Sequence, residues 1–273
     1  MARSSNQKAK LLYLAKIFSE QTDETHGLTM PELISRLNDF GISADRKTIY
    51  TDLEELRHFG MDILAQQEGG IWRYCLVSRE FELAELKLLV DSVQSSKFIS
   101  KERSEQMVSK IVTLAGQHKA EELKRNASVE GRAKSENRQD LLIVDAINEA
   151  INARKKIAFQ YFAYNIRKQK KLRHDGERYI FSPYRLIWNG DYYYVLGYSD
   201  KHQAIGSFRV DRISARPDIL SEEAVPVPAD FGVDDFLATT FRMYGSEYQE
   251  VELICDNSVI DAIIDRFGTD VTI

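Results

Sequence analysis

The sequence predicts a multidomain α+β protein: a helical N-terminal segment closed by a hairpin, connecting helices, a strand-rich block and a partial α/β extension. Three observations carry that prediction. Apolar residues recur at helical spacing through the first 60 residues and again from 79 to about 124, whereas short alternating runs bounded by turn residues fill 157–210. At 273 residues the chain exceeds one core of ordinary size, so two or three domains are expected. The composition, 43% hydrophobic and 29% charged, is that of a globular chain and excludes full disorder.

The longest apolar runs are a few residues, far below the ~20 that span a bilayer, and the N-terminus leads into a charged amphipathic segment rather than a signal-peptide core. Cys75 and Cys255 form no CxxC pair and argue against a disulfide scaffold. The expectation is a cytoplasmic protein with no membrane partner.

Residues 1–78 read as three helices and a hairpin. Leu11, Leu14, Ala15 and Phe18 give helix one a buried stripe. Thr29-Met30-Pro31-Glu32 has the form of a capping box that starts helix two, whose apolar face is Leu33, Ile34, Leu37 and Phe40 and whose end is Gly41. Asp45 caps helix three, which buries Ile49, Leu53 and Leu56 and stops at Gly60. Met61–Leu64 and Trp72–Leu76 are strands joined across Gly69-Gly70. This is the element order of a winged helix-turn-helix. Helix three leaves Arg46, Lys47, Thr48 and Tyr50 facing outward on its first turn and a half. Donors and positive charge at that end suit the major groove of double-stranded DNA: Arg and Lys can read guanine edges, while Thr48 and Tyr50 hold phosphates. The string Ser43–Leu56 resembles the recognition-helix region of DeoR-like winged-helix regulators, whose pattern is Ser/Asp-Arg-x-Thr-Ile-x-Arg-Asp-Leu-x-x-Leu and then Gly. Thr51 stands where that pattern commonly carries Arg, which removes one expected phosphate contact, although Thr51 stays among the candidate DNA-binding residues.

Residues 79–138 are expected to form a helical linker of two helices broken near Ser100. Leu83, Leu86, Val90 and Val93, then Met107, Ile111 and Leu114, make a stripe that serves as core or, by preference, as the seam of a homodimer. The polar stretch 124–140 marks a boundary.

In 139–215 a helix from Leu142 to about Arg154 precedes five short strands. Ile157–Tyr161 and Ile166–Arg173 could pair around Asn165. His174-Asp175-Gly176 is a turn, Tyr179–Trp188 a strand, and Asn189-Gly190 a two-residue hairpin signal before Asp191–Tyr198 and Ala204–Val210. Ser182-Pro183-Tyr184-Arg185-Leu186, Tyr193-Tyr194-Val195-Leu196-Gly197-Tyr198 and Phe208-Arg209-Val210-Asp211-Arg212-Ile213 together resemble a WYL domain, a small Sm-like β-barrel. The naming Trp-Tyr-Leu falls on Tyr193-Tyr194-Val195. The resemblance implies a module that senses a nucleic-acid or nucleotide effector. Aromatic faces beside forked cations suit such ligands, which singles out Tyr194, Arg209, Arg212, Ser182, Arg185 and Tyr161. The bland alternative is that the tyrosines fill the core and Asp211–Arg212 is a structural ion pair. Arg167–Arg173, positive on both faces, reads as a protected sheet edge and a strip that steers phosphates.

Residues 216–273 read as an acidic linker and C-terminal extension, carried by Phe241-Arg242-Met243 and Ile263–Gly268. Pro217, Pro226 and Pro228 mark an extended stretch across Glu222-Glu223; a strand at Glu250–Cys255 and a helix at Ser258–Phe267 follow. The chain is expected to be truncated at 273, because relatives of this kind continue with further strands. The acidic segment could cover the basic block.

Charge supports this partition. The formal total is −5, but 1–78 carries −2, 79–140 +1, 141–215 +6 and 216–273 −10. A near-neutral total therefore does not exclude nucleic acid. Five histidines show no HExxH, HxH or zinc-like spacing, and GxGxxG, GxxxxGK[ST] and GxSxG are absent, so no catalytic residue, metal or cofactor is expected. Two alternatives remain: a nucleic-acid-binding scaffold of a helicase or defence system without operator specificity, and a metal-dependent nuclease, for which the basic block holds seven acids against thirteen bases.

Overall fold

The computed structural model of the chain describes residues 5–125, 134–135, 139–229, 231–232 and 252–269. The chain divides into two compact units, Met1–Val225 and Pro226–Ile273.

The first unit opens with α1 (Ser5–Gln21), β1 (Leu28–Thr29), α2 (Met30–Asp39), α3 (Arg46–His58), β2 (Ile63–Glu68) and β3 (Ile71–Leu76). The antiparallel sheet has the order β1-β3-β2. Two-residue β1, which pairs Leu28 with Tyr74 and Thr29 with Arg73, is too short to be heard as periodicity. Glu32 Oε2 accepts from Thr29 N at 2.7 Å and Thr29 Oγ1 accepts from Glu32 N at 3.4 Å, so the capping box forms as expected. Leu14, Ile17 and Phe18 of α1 pack on Leu33, Leu37, Ile49, Leu53 and Leu56, all buried, with Leu11, Ala15 and Ile34 partly covered. Phe40, expected in that face, is 39% exposed; it closes α2 beyond its last turn and lies against Tyr13, centroids 4.6 Å apart.

The linker comprises three helices rather than two: α4 (Leu83–Ser95), α5 (Lys101–Thr113) and α6 (Gly116–Arg125). The break at Ser100 is as expected, with Ser100 Oγ accepting from Arg103 N. The second break follows from Gly116, whose φ of +74° leaves the helical region; a Cβ there would lie 2.7 Å from the Arg79 guanidinium and 3.2 Å from Ser19 O. The apolar stripe is consumed inside the chain. Leu86 and Val90 pack against Val108, Val112, Ala115 and Leu123, so on α5 the buried positions are offset from the expected Met107 and Leu114, and Leu114 is 49% exposed. A seam between two copies would need other residues.

Then come α7 (Asp140–Ala153), β4 (Lys155–Phe159), β5 (Phe162–Tyr164), β6 (Lys170–Leu172), a 3-10 turn at Arg173–Gly176, β7 (Tyr179–Asn189), β8 (Tyr192–Ser199), β9 (Ala204–Arg209), a 3-10 turn at Val210–Arg212, and β10 (Asp218–Glu223). β10, β4, β7, β8 and β9 form one antiparallel sheet in that order. β10 corrects the reading of Glu222-Glu223 as linker: Asp218 pairs with Ala158 and Glu223 with Lys155. Its burial pattern, mostly exposed, is why it does not alternate visibly. Isolated pairing of Tyr161 with Ile213 draws the segments after β4 and β9 together. The hairpin around Asn165 forms, but its first strand is Phe162–Tyr164 rather than 157–161, of which β4 takes 157–159 into the main sheet. At the next hairpin Asn189 pairs with Tyr192, leaving Gly190 and Asp191 as the turn. α7 covers the sheet with Ile143, Ile147 and Ala150 against Ile157, Phe159, Phe181 and Val195.

In the second unit a 3-10 turn (Asn257–Val259) leads into α8 (Ile260–Phe267), matching the expected helix. The strand expected at 250–255 begins outside the described residues; Glu252–Cys255 are exposed and pair with no strand among those described. Phe241–Met243 lie outside the described residues.

Candidate nucleic-acid interface

The first turn of α3 is fixed before any ligand arrives. Asp45 Oδ1 accepts from Thr48 N and Thr48 Oγ1 donates to Asp45 O, both at 3.0 Å. With Ile49, Leu53 and Leu56 buried, Arg46, Lys47, Thr48, Tyr50 and Thr51 all stand in solvent, as expected from spacing. Arg46 Nε and Nη2 donate to Tyr50 Oη at 3.0 and 2.9 Å, and the guanidinium lies 5.6 Å from the Tyr50 ring centroid. Tyr50 in turn meets the edge of Tyr74 at 6.3 Å. Hydrogen bonding from Tyr74 and then from Arg46 lowers the Tyr50 phenol from its ordinary value, while burial and Tyr50 push Tyr74 up to about 12. Such tethering reduces the side-chain entropy lost on binding.

Three further cations of this region, Lys10, Arg57 and Arg73, are committed internally. Lys10 is buried and pairs with Asp52 at 2.6 Å, pinning α1 to α3. Arg57 Nε donates to Ile63 O, and its Nη1 pairs with Glu54. In the β2–β3 hairpin Arg73 donates to Gly27 O at 3.0 Å beside Glu68 and Glu32.

The second cluster lies where β8, β9 and the following turn meet. Tyr194 pairs in register with Arg209. The Arg209 guanidinium sits 3.5 Å from the Tyr192 ring centroid and forks onto Asp211, with Nε and Nη2 donating at 3.1 and 2.7 Å. Asp211 thus takes Arg209 as a partner. Arg209 N donates to Tyr161 Oη at 3.2 Å, and the Arg173 guanidinium lies 5.5 Å from the Tyr161 ring centroid. Burial pushes the Tyr161 phenol up to about 12. Nearby, burial and then the charge of Asp211 push Asp140, at the start of α7, up to about 7.

So the structure brings Tyr161, Tyr194, Arg209 and Arg212 together, with Tyr161 and Tyr194 buried and the arginines half-buried. Ser182 is fully buried, and its Oγ accepts from Val225 N at 3.0 Å. Arg185 is exposed one strand away, opposite Leu196. Spacing alone did not assign Tyr192, Asp211, Arg173 or Asp140 to this site. Tyr192 was legible, because it shares a strand face with Tyr194. Asp140 and Arg173 reach the cluster only through tertiary packing.

Residues 143–216 match the family model of the WYL domain, so the chain contains a WYL domain built from α7 and β4–β9. No curated protein matches the chain. Among solved structures it is similar to proteasome accessory factor B/C (PafBC) of Arthrobacter aurescens, at 19% identity and a TM-score of 0.28, covering 84% of this chain and 35% of that one. The chain therefore spans about a third of that protein's length, and a superposition this loose carries no argument. No helix among the described residues is long and apolar enough to cross a membrane.

Proposed function

We propose that the chain is a dimeric, sequence-specific DNA-binding transcriptional regulator whose WYL domain senses a nucleic-acid or nucleotide effector. In this reading residues 1–78 are a winged helix-turn-helix, 79–138 a helical linker whose dimer contacts lie outside its buried stripe, 139–215 the sensing domain as a Sm-like barrel with β10 added to its sheet, and the remainder of 216–273 an extension. The observation that carries it is the outward face of α3, where capped and tethered donors stand on one side of a helix whose other side is fully buried. Such a helix can enter the major groove N-terminus first.

Arg46 and Lys47 would read base edges, with Thr48, Tyr50 and Thr51 on phosphates. A phosphate on the effector would compete with Asp211 for the Arg209 fork, with Arg212 and, from one strand away, Arg185 adding charge and Tyr161 and Tyr194 packed beside it, while buried Ser182 would act only by holding β7 against Val225. Displaced, Asp211 would change the field at Asp140 on α7. No catalytic role is assigned.

Arg46→Ala with Lys47→Ala should abolish discrimination between the operator upstream of the protein's own coding sequence and random duplex, read by footprinting and by a flatter salt dependence. Unchanged protection by the double variant would refute the role of α3.

A further inference from the structure

The excess positive charge of 141–215 is not spread over the WYL domain. Most cations on the main sheet are neutralised: Lys156 by Asp200 and Glu222 at 2.7 and 3.4 Å, Arg178 by Asp218, Lys201 by Glu177 and Arg209 by Asp211. Arg167, Lys168, Lys171 and Arg173 are different. All four are exposed, and none forms an ion pair among the described residues. They sit on one element, the β5–β6 hairpin and its base, which forms a two-stranded sheet separate from the main one.

This hairpin is built to hold its shape. Phe162 is buried at its root, and Arg173 N donates to Tyr161 O at 2.8 Å. At the tip Asn165 Oδ1 accepts from Arg167 N and Gln169 N at 2.9 and 3.0 Å, and Lys168 takes a left-handed φ of 61° to complete the turn. Alternation puts Lys170 on the Phe162 face, 5.1 Å from that ring's centroid, and Lys171 on the other. Along the Lys171 side runs a hollow of about 350 Å³ bordered by Ala163, Tyr164, Lys171, Arg173 and His174, with Asp175 its one acid.

We propose that the β5–β6 hairpin is an electrostatic arm that grips the phosphate backbone of duplex DNA independently of α3. A two-stranded ribbon fits a duplex groove, and cations on both faces meet the phosphate walls on either side. A single strand has phosphates on one side only. The N-terminal region needs such help, because it is net negative and has committed Lys10, Arg57 and Arg73 internally. The arm adds affinity without sequence information, whereas α3 adds the reverse.

This inference rests on the reading of the chain as a duplex binder, and the test separates the two. The full chain is titrated against a random 20-base-pair duplex, its own upstream operator duplex, and single-stranded dT20, at several salt concentrations. Arg167→Ala with Lys168→Ala and Lys171→Ala should weaken random-duplex binding at least tenfold at low salt. It should also flatten the slope of log K against log salt by about 0.9 per cation that contacts a phosphate, and leave the operator-to-random ratio within twofold. Lys171→Arg alone should keep the parent slope. Arg46→Ala with Lys47→Ala should remove the operator-to-random ratio yet retain most random-duplex binding. All substituted side chains are exposed, and the turn hydrogen bonds come from backbone and Asn165, so these variants fold. An unchanged random-duplex slope in the triple variant overturns the arm alone. So does a loss confined to dT20. Failure of the parent chain to bind any duplex overturns both readings.

Discussion

At the residue scale two positions fix how the WYL sheet is built. Gly197 lies where β8 passes β7: a Cβ there would sit 2.1 Å from Ser182 O and 2.6 Å from the Phe181 ring. Its φ is ordinary, so the requirement is close approach rather than a left-handed backbone. β7 is irregular between Pro183 and Arg185, and no adjustment of a flexible side chain can relieve a clash with a carbonyl. Gly197→Ala should cost about 3 kcal/mol or more, read as a lower urea midpoint. Asp140 makes the opposite kind of statement, because its burial opposes folding when it is charged. With its folded pKa pushed up to about 7 from an ordinary 3.8, the folded chain holds a proton that the unfolded chain has released between these values. Stability contributed by this group is therefore present at low pH, falls as pH rises through that window and is flat above it. Asp140→Asn should leave stability nearly unchanged at pH 4 and raise it at pH 8, with a ceiling of about 4 kcal/mol. Equal urea midpoints of parent and variant at both pH values would refute the assignment.

At the element scale, legibility followed locality. Helices two and three were readable to within a residue because caps are local chemistry: Thr29 with Glu32 and Asp45 with Thr48 each close within three residues. Thr29→Ala should therefore lower stability by about 1 kcal/mol, and Thr29→Ser should recover most of it in the same urea titration. Elements that depend on a distant partner were not readable. β10 is an edge strand whose exposed residues pair with β4 some sixty positions earlier in the chain, so no period betrays it. β1 exists only because β3 accepts it. The linker stripe was legible as apolar but not as core, because period alone does not say whether its complement is another helix of the same chain or a second copy. The candidate site divided in the same way. The α3 side chains follow from one helix's spacing, whereas Asp211 and Arg173 join the WYL cluster through turns whose geometry the sequence does not encode locally.

At the scale of the whole molecule, the first unit is a continuous packed path. Arg79 Nη1 and Nη2 donate to Ser19 O and Thr22 O at 2.7 and 2.6 Å, satisfying carbonyls at the end of α1. His118 stacks on His26 at 3.9 Å, and Lys119 pairs with Glu24 at 2.5 Å, so α6 is fastened to the same end. At the turn between α4 and α5 Phe98 is buried in the WYL core against Tyr193 and Trp188, with Lys97 paired to Asp191 at 2.7 Å. A path joined at both ends should unfold as one cooperative unit, and the chain carries its own probes. Its only two tryptophans are Trp72 on β3 and Trp188 on β7. Trp72→Phe leaves a reporter on the WYL sheet, and Trp188→Phe leaves one on the N-terminal sheet; both rings are about half exposed, so neither change empties a core. The two variants should give superimposable urea transitions by fluorescence, the signature of two-state behaviour across both regions. Arg79→Ala removes two charge-assisted hydrogen bonds, each worth roughly 1.5–3 kcal/mol. In that background the Trp72 transition should move to lower urea, while the Trp188 transition stays closer to its parent position. Separate midpoints without the Arg79 change would mean that the linker does not couple the two regions, and that a ligand on the WYL sheet has no mechanical route to α3.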